Sequence, residues 1–270
     1  MAQVQAAKVI GVMRFSVLTP TYFSERFDSL DKIADHIFNP ERMALRFHIF
    51  ESLVLPSLIT QTDRDFDLVV LTAERMPAEY KDRLASLIAA VPNLHLREVG
   101  TDNHYQLLKD GYDSIPLDGA SHRLMFRLDD DDALDRNYVR RLKKVASVLK
   151  GMHRREVLHV ISFNRGFYVR MQEGGNEVFD SCERAPLSAG TALLASAKYP
   201  RNPYRYNHRQ LAQYYNSYSD ITVPSFIRTI HGDNKSNPAQ MGLTHQMRPK
   251  TMAAELIKHF GIDLDVLRQL

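Results

Sequence analysis

The sequence predicts an α/β protein with a mainly parallel central sheet and helices on both of its faces. Three observations carry that prediction. Short continuous apolar runs, such as Leu68-Val69-Val70-Leu71, suit strands buried on both faces. Segments with apolar residues at helical spacing alternate with these runs up to about residue 150, the rhythm of βα units. A strand-like run over residues 122–128 ends in four consecutive carboxylates, Asp129-Asp130-Asp131-Asp132, and the carboxyl ends of strands are where open sheets bind ligands.

Taken in order, residues 9–18 lead into a β-rich run ended by Pro20, a first buried strand and its outgoing loop. Residues 23–38 are polar and irregular. Asn39-Pro40-Glu41 supplies an N-cap, a first-turn proline and an early acid, so a helix starts there. Its stripe is Met43, Phe47, Phe50, Val54 and Leu58, and Pro56 is expected to kink or divide it. A second strand at 68–72 precedes a helix from Pro77 to the breaker Pro92, and residues 94–99 alternate like a third strand. A loop with a short helix near 105–109 leads to the acid-bearing strand. Asp135 is a plausible N-cap for the helix whose stripe is Tyr138, Leu142, Val145 and Leu149. Beyond residue 150 two β-rich runs, 157–163 and 166–171, precede a hairpin-like turn at Gly174-Gly175-Asn176. Residues 208–215 read as a helical patch, 221–230 as a late edge strand that tolerates Pro224, and the stretch from Thr251 as helix broken at Gly261.

A chain of 270 residues with 44% hydrophobic content can bury one substantial core, so one domain spanning 1–270 is expected. Its 35 basic and 32 acidic residues leave a net charge of +3, too balanced for nucleic-acid binding by bulk electrostatics. The sole cysteine, Cys182, excludes an intrachain disulfide and a Cys-rich zinc site. No apolar run approaches the ~18 residues of a membrane span, and residues 9–13 are cut short by Arg14 without the features of a secretory signal. The expected compartment is the cytoplasm. The basic helix face of Arg136, Arg140, Lys143 and Lys144 offers peripheral contact with the inner face of a membrane, although a solvated face is the plainer reading.

Adjacent carboxylates repel unless a cation lies between them, and Mg²⁺ or Mn²⁺ carrying a phosphate-bearing ligand is the most economical partner. A calcium loop fails on spacing, because Leu134 and Arg140 stand where its glycine and terminal glutamate belong. A haloacid-type phosphatase fails because Ala133 replaces the required threonine. Helix capping alone would need one or two acids, not four.

Thr19-Pro20-Thr21-Tyr22, the segment from Pro56-Ser57-Leu58 through Asp65-Phe66-Asp67-Leu68, and Arg127-Leu128-Asp129-Asp130-Asp131-Asp132-Ala133-Leu134 together resemble family-two glycosyltransferases of the glycosyltransferase-A fold. Within these they resemble a rhamnosyltransferase family of bacteria, over about residues 14–240. The resemblance implies a nucleotide-sugar donor, a glycan or lipid-linked acceptor, and a Mn²⁺ or Mg²⁺ ion bridging the donor diphosphate to an Asp-x-Asp motif. Laid on this chain, the metal pair is Asp129 and Asp131, with Asp129 nearer the ribose and Asp132 a further ligand and catalytic candidate. Asp130 and Asp132 share the same spacing and stay open as the alternative pair. Residues 1–134 then form the nucleotide-binding half, 135–250 the acceptor half and 251–270 a helical tail. The aspartate that usually holds the nucleobase on the second strand is absent, so Thr19, Tyr22 and Thr72 are left to line that pocket, and Tyr22 equally suits a core position. Arg127 is placed to meet the acids or the diphosphate. His231 resembles the late histidine that completes the metal site, and Lys235 follows in the same polar loop. An inverting transfer needs a general base, and His208, with an ordinary pKa near neutrality, is the best placed, with Asp220 and Asp180 in reserve. The competing readings are a non-catalytic nucleotide- or carbohydrate-binding scaffold and a nucleotidyltransferase. The latter would want a glycine-rich phosphate loop, and residues 18–23 contain no glycine.

Overall fold

The computed structural model describes residues 7–21, 23–152, 157–234 and 244–270. The first half lays down β1 (Ala7–Arg14), α1 (Leu30–Ile37), α2 (Pro40–Ile49), α3 (Leu55–Ile59), β2 (Asp67–Ala73), α4 (Ala78–Ala89), β3 (Leu94–Val99), α5 (His104–Asp113) and β4 (His122–Asp129). After these come β5 (Asp132–Leu134), α6 (Tyr138–Met152), β6 (His159–Phe163), β7 (Arg165–Arg170), β8 (Glu177–Cys182) and β9 (Ala192–Ser196). A 3₁₀ helix (His208–Gln213), β10 (Asn216–Asp220), β11 (Phe226–Ile230), α7 (Pro249–Phe260) and α8 (Leu264–Arg268) complete the order.

A seven-stranded sheet runs β3-β2-β1-β4-β9-β6-β10, with only β9 antiparallel to its neighbours. Alternation along its strands separates two apolar layers. Met13, Leu68, Val70 and Phe126 face α2, α4 and α6, whereas Val12, Val69, Leu71 and Met125 face α5 and Leu211 of the 3₁₀ helix. Helices on both faces of a mainly parallel sheet are thus present, as the sequence predicts. A second, four-stranded sheet runs β5-β11-β7-β8. Four carboxylates mark the passage between the two: β4 ends in the first sheet at Asp129, Asp130 and Asp131 form the turn, and Asp132 opens β5 in the second.

Several elements differ from the sequence reading, each for a local reason. The first strand stops at Arg14, because Ser16 takes a left-handed φ of 53° and turns the chain off the sheet. Residues 30–37, read as irregular, are α1, whose Ser29 side chain accepts the Lys32 N–H and which buries only Ile33, Ala34 and Ile37. Pro56 divides the long helix as expected, and the break is a π turn at Phe50–Val54 in which the Leu55 N–H reaches back to the Phe50 carbonyl. The late strand is β11, shorter than expected and internal to the second sheet rather than at an edge, because Pro224 lies before its ladder begins. Of the four residues expected on one basic helix face, Arg136 lies before α6 and donates to the Ile257 carbonyl, and Lys143 of α6 pairs with Asp63 and Asp65, so half of that group is tied to the protein itself. Among the described residues no helix is long and apolar enough to cross a membrane.

Candidate active site

Where β1 and β4 end, the chain leaves a cleft of about 700 Å³. The parallel register sets Arg14 of β1 directly beside Asp129 of β4, and their side chains pair at 2.5 Å. Helix α2 brings Arg42 and Arg46, one turn apart, to the same opening. Arg46 lies 3.0 Å from both Asp130 Oδ1 and Asp131 Oδ2. From the second sheet, Arg228 Nε donates to Asp132 Oδ1 at 3.0 Å. The loop after β11 folds onto Asp131, with His231 Nε2 and Asn234 Nδ2 each 3.1 Å from Oδ2. That loop is itself fastened to the helices through Asp233, which accepts from Arg42 Nε at 2.5 Å and lies 3.0 Å from His36 Nε2.

Asp129, Asp131 and Asp132 each present an oxygen to one point, all within 4.8 Å of one another, whereas Asp130 turns away to Arg46. Burial opposes charge on all four, and the neighbours decide the outcome. Arg14 and Arg127 hold Asp129 well below the usual carboxylate range against that burial, and Arg46 with His231 does the same for Asp131. For Asp132 burial wins and pushes the carboxyl well up despite Arg228. Its Oδ2 is buried and has no hydrogen-bond partner among the described residues. Three carboxylates with oxygens within 4.8 Å of one another, and a buried Asp132 oxygen that no hydrogen bond among the described residues satisfies, fit a hard divalent cation such as Mg²⁺ or Mn²⁺.

The structure brings His208 to the cleft wall, since Asn207 caps the 3₁₀ helix by accepting the Arg209 N–H and aims the next residue inward. One premise of the sequence reading fails there. Burial, reinforced by Arg127 and Arg228, pushes the imidazole down to about 3 rather than leaving it near neutrality. Asp220 and Asp180 do not line the cleft: Asp220 accepts from Thr222, and Asp180 accepts the Met247 N–H beside a separate cavity. Arg127 is buried but pairs with no carboxylate among the described residues; it stacks over Tyr204 at 4.1 Å and donates to the Pro203 carbonyl at 3.4 Å. Thr19 is buried 3.4 Å from Thr21, and Thr21 rather than Thr19 lines the cleft. Thr72 is buried with its hydroxyl on the Met76 sulfur at 3.4 Å, away from the cleft wall. Tyr22 and Lys235 lie outside the described residues.

Sequence reasoning missed Arg14, Arg42, Arg46, His104, Arg228 and Asp233. The signal was available for two of them: Arg42 and Arg46 stand four apart in a helix that otherwise follows an apolar stripe. His104 opens α5, lies 3.2 Å from Arg14, and is pushed down to about 3 by burial and by Arg14 and Arg127.

A mainly parallel sheet with one antiparallel strand beside the acid-bearing strand, and clustered carboxylates at that strand's end, defines an α/β protein of the glycosyltransferase-A class. The chain belongs to the family described as "Putative rhamnosyl transferase", whose model matches residues 8–243. No curated protein matches it. Among solved structures, the chain overlaps residues 1–349 of TarS from S. aureus with 13% identity and a TM-score of 0.42, over 82% of this chain and 60% of that one. The same fragment in complex with UDP gives 10% identity and a TM-score of 0.38, over 83% and 60%. A putative glucose-1-phosphate thymidylyltransferase from Bacillus anthracis, in complex with a sucrose, gives 11% identity and a TM-score of 0.36, over 78% and 86%. The chain therefore spans about 60% of the length of the TarS fragment it overlaps.

Proposed function

We propose that the protein is a metal-dependent, inverting glycosyltransferase that moves a sugar, rhamnose on the strength of the family, from a nucleotide-diphosphate donor to a hydroxyl of a glycan or lipid-linked acceptor. The observation that carries the reading is the convergence of Asp129, Asp131 and Asp132, within 4.8 Å, at the edge of a cleft that also holds Arg14, Arg127 and Arg228. Asp129, Asp131 and Asp132 would hold Mn²⁺ or Mg²⁺, with His231 the nitrogen beside Asp131, and the ion would offset charge on the departing diphosphate. Arg127, buried and free of a carboxylate partner among the described residues, is available to the diphosphate oxygens.

In the transfer, the acceptor oxygen attacks the anomeric carbon from the face opposite the diphosphate. The bond from that carbon to the diphosphate oxygen breaks, and its electron pair leaves with the nucleotide. The acceptor proton passes to His208. In the resting cleft that imidazole is neutral but weakly basic, because burial and two arginines disfavour its cation. A bound diphosphate places negative charge against Arg127 and Arg228, which removes part of that penalty and makes His208 a stronger base when donor is present.

The test is a screen of nucleotide sugars by thermal shift with and without Mn²⁺, followed by transfer assays on the hit. Stabilisation should require the metal, and Asp131→Ala should abolish transfer while the circular dichroism spectrum stays unchanged. Full transfer activity in excess chelator would overturn the reading.

A further inference from the structure

Between Glu183 and Asp220 the chain has no acidic residue, although the whole sequence is nearly balanced. In the same stretch it carries Arg184, Lys198, Arg201, Arg205 and Arg209, together with six of its 12 tyrosines. Surfaces ordinarily intersperse the two signs, because like charges with no counter-ion repel. This depletion has a definite place in the fold. The segment climbs from β9 past the carboxyl end of β4, and its inner side is pinned: Arg123 donates to the Tyr199 carbonyl, Arg127 to the Pro203 carbonyl, and the Tyr204 hydroxyl to the Val12 carbonyl at 3.2 Å.

The outer side is left to solvent. Lys198, Arg201 and Arg205 are exposed, and none of them pairs with a carboxylate among the described residues. Arg201 donates to the Tyr206 hydroxyl at 3.0 Å, and Tyr206 stacks on Tyr214 with ring centres 3.7 Å apart and planes 2° from parallel. Tyr214 keeps 51% of its surface exposed. Between the two stacked rings in sequence, Asn207, His208 and Arg209 reach into the cleft wall, so the basic and aromatic strip is continuous with the site of transfer.

We infer that this strip, Lys198, Arg201, Arg205, Tyr206 and Tyr214, is the docking surface for the acceptor, and that the acceptor is an anionic glycan. The inference rests on the glycosyl-transfer reading of the cleft. Sugar rings have an apolar C–H face that lies flat against an aromatic ring, and a stacked, pinned tyrosine pair supplies such a face at little entropic cost. Guanidinium groups add planar, bidentate recognition of carboxylate or phosphate oxygens. An anionic membrane fits less well, because membrane-surface binding uses a long amphipathic helix with bulky apolar residues, whereas this strip offers hydroxyl-tipped tyrosines around a 3₁₀ helix of six residues.

The experiment measures binding of the full chain to polygalacturonate, phosphomannan and neutral dextran, and to phosphatidylglycerol vesicles, in about 150 mM salt. Wild type should bind at least one anionic glycan more tightly than dextran. Arg201→Gln/Arg205→Gln should weaken that binding by about tenfold, and Tyr214→Ala should weaken it with no change of charge. Arg140→Gln/Lys144→Gln, an equal loss of charge on exposed positions of α6, should leave it unaltered. Absence of binding to both anionic glycans, equal losses in the two double variants, or binding to vesicles without glycan binding overturns the inference. Metal-dependent stabilisation by nucleotide, recorded on the same wild-type preparation, reads the donor site separately, so its absence would defeat the transfer reading and not be mistaken for failure of the acceptor surface.

Discussion

Arg46 illustrates how much of this cleft depends on single cations. It stands 3.0 Å from two carboxylates and 3.5 Å from Asp233, so truncation would take from Asp130 its arginine and from Asp131 and Asp233 one of several partners each. Arg46→Met is expected to cost about 3–5 kcal/mol of folding stability, the usual effect of removing one partner from a buried ion pair. Chemical denaturation would read that loss, and Arg46→Lys should recover only part of it, since one ammonium cannot span the same acceptors. The acids were legible in the sequence because four in a row cannot be neutral background. Their arginines were not. Arg14, Arg46 and Arg228 come from three elements far apart in the chain, and only the sheet register and the packing of α2 bring them to residues 129–132. The expected pair Asp129 and Asp131 lies in the converging group, and which carboxylate turns aside could not be read from four identical residues.

At the level of elements, the strands and helices with strong periodicity were readable, and those resting on tertiary contact were not. β9 is five residues, Ala192 to Ser196, with no alternation to reveal it, yet it lies inside the large sheet between β4 and β6. β10 is a polar edge strand whose residues are otherwise turn formers. Of the second sheet, the runs at 166–171 and 221–230 and the hairpin turn at 174–176 were readable, but not β5 or the pairing, because these strands come from residues 132 to 230 and recognise each other only once folded. Its most constrained contact is Gly166, where an added Cβ would lie 2.4 Å from the Phe226 carbonyl. Gly166→Ala must therefore push β7 from β11, the strand that presents Arg228 and leads to His231. We expect a loss of about 1–3 kcal/mol, with weaker Mn²⁺ binding by electron paramagnetic resonance. Unchanged stability and unchanged metal affinity in this variant would contradict the assigned packing.

For the molecule as a whole, two histidines set a pH dependence. His104 and His208 titrate near 6.5 when unfolded and near 3 in the folded cleft, each through burial first and then neighbouring arginines. The unfolded chain therefore binds protons that the folded chain refuses, and the stability these groups supply, complete above about 6.5, is lost as pH falls towards 3. His104→Gln/His208→Gln should narrow the drop in melting temperature between pH 7 and pH 4.5 relative to wild type, by differential scanning calorimetry. Asp135, raised to about 6 chiefly by burial, works in the opposite sense, so the comparison between variant and wild type isolates the histidines.

The pairing of four acids at the cleft with four arginines has a further consequence, which belongs to linkage. Asp129 holds Arg14, Asp131 holds Arg46, Asp132 holds Arg228 and Asp233 holds Arg42. For a dication alone the carboxylates must give up their arginines, and for a diphosphate alone the arginines must give up their carboxylates; when both arrive, each side trades one partner for another of the same sign. Metal and nucleotide should then bind with positive heterotropic cooperativity, each raising the affinity of the other by the same factor. Titrating Mn²⁺ at rising nucleoside diphosphate, and the diphosphate at rising Mn²⁺, should return that single factor from both directions, and a factor of one would mean that the arginines never leave.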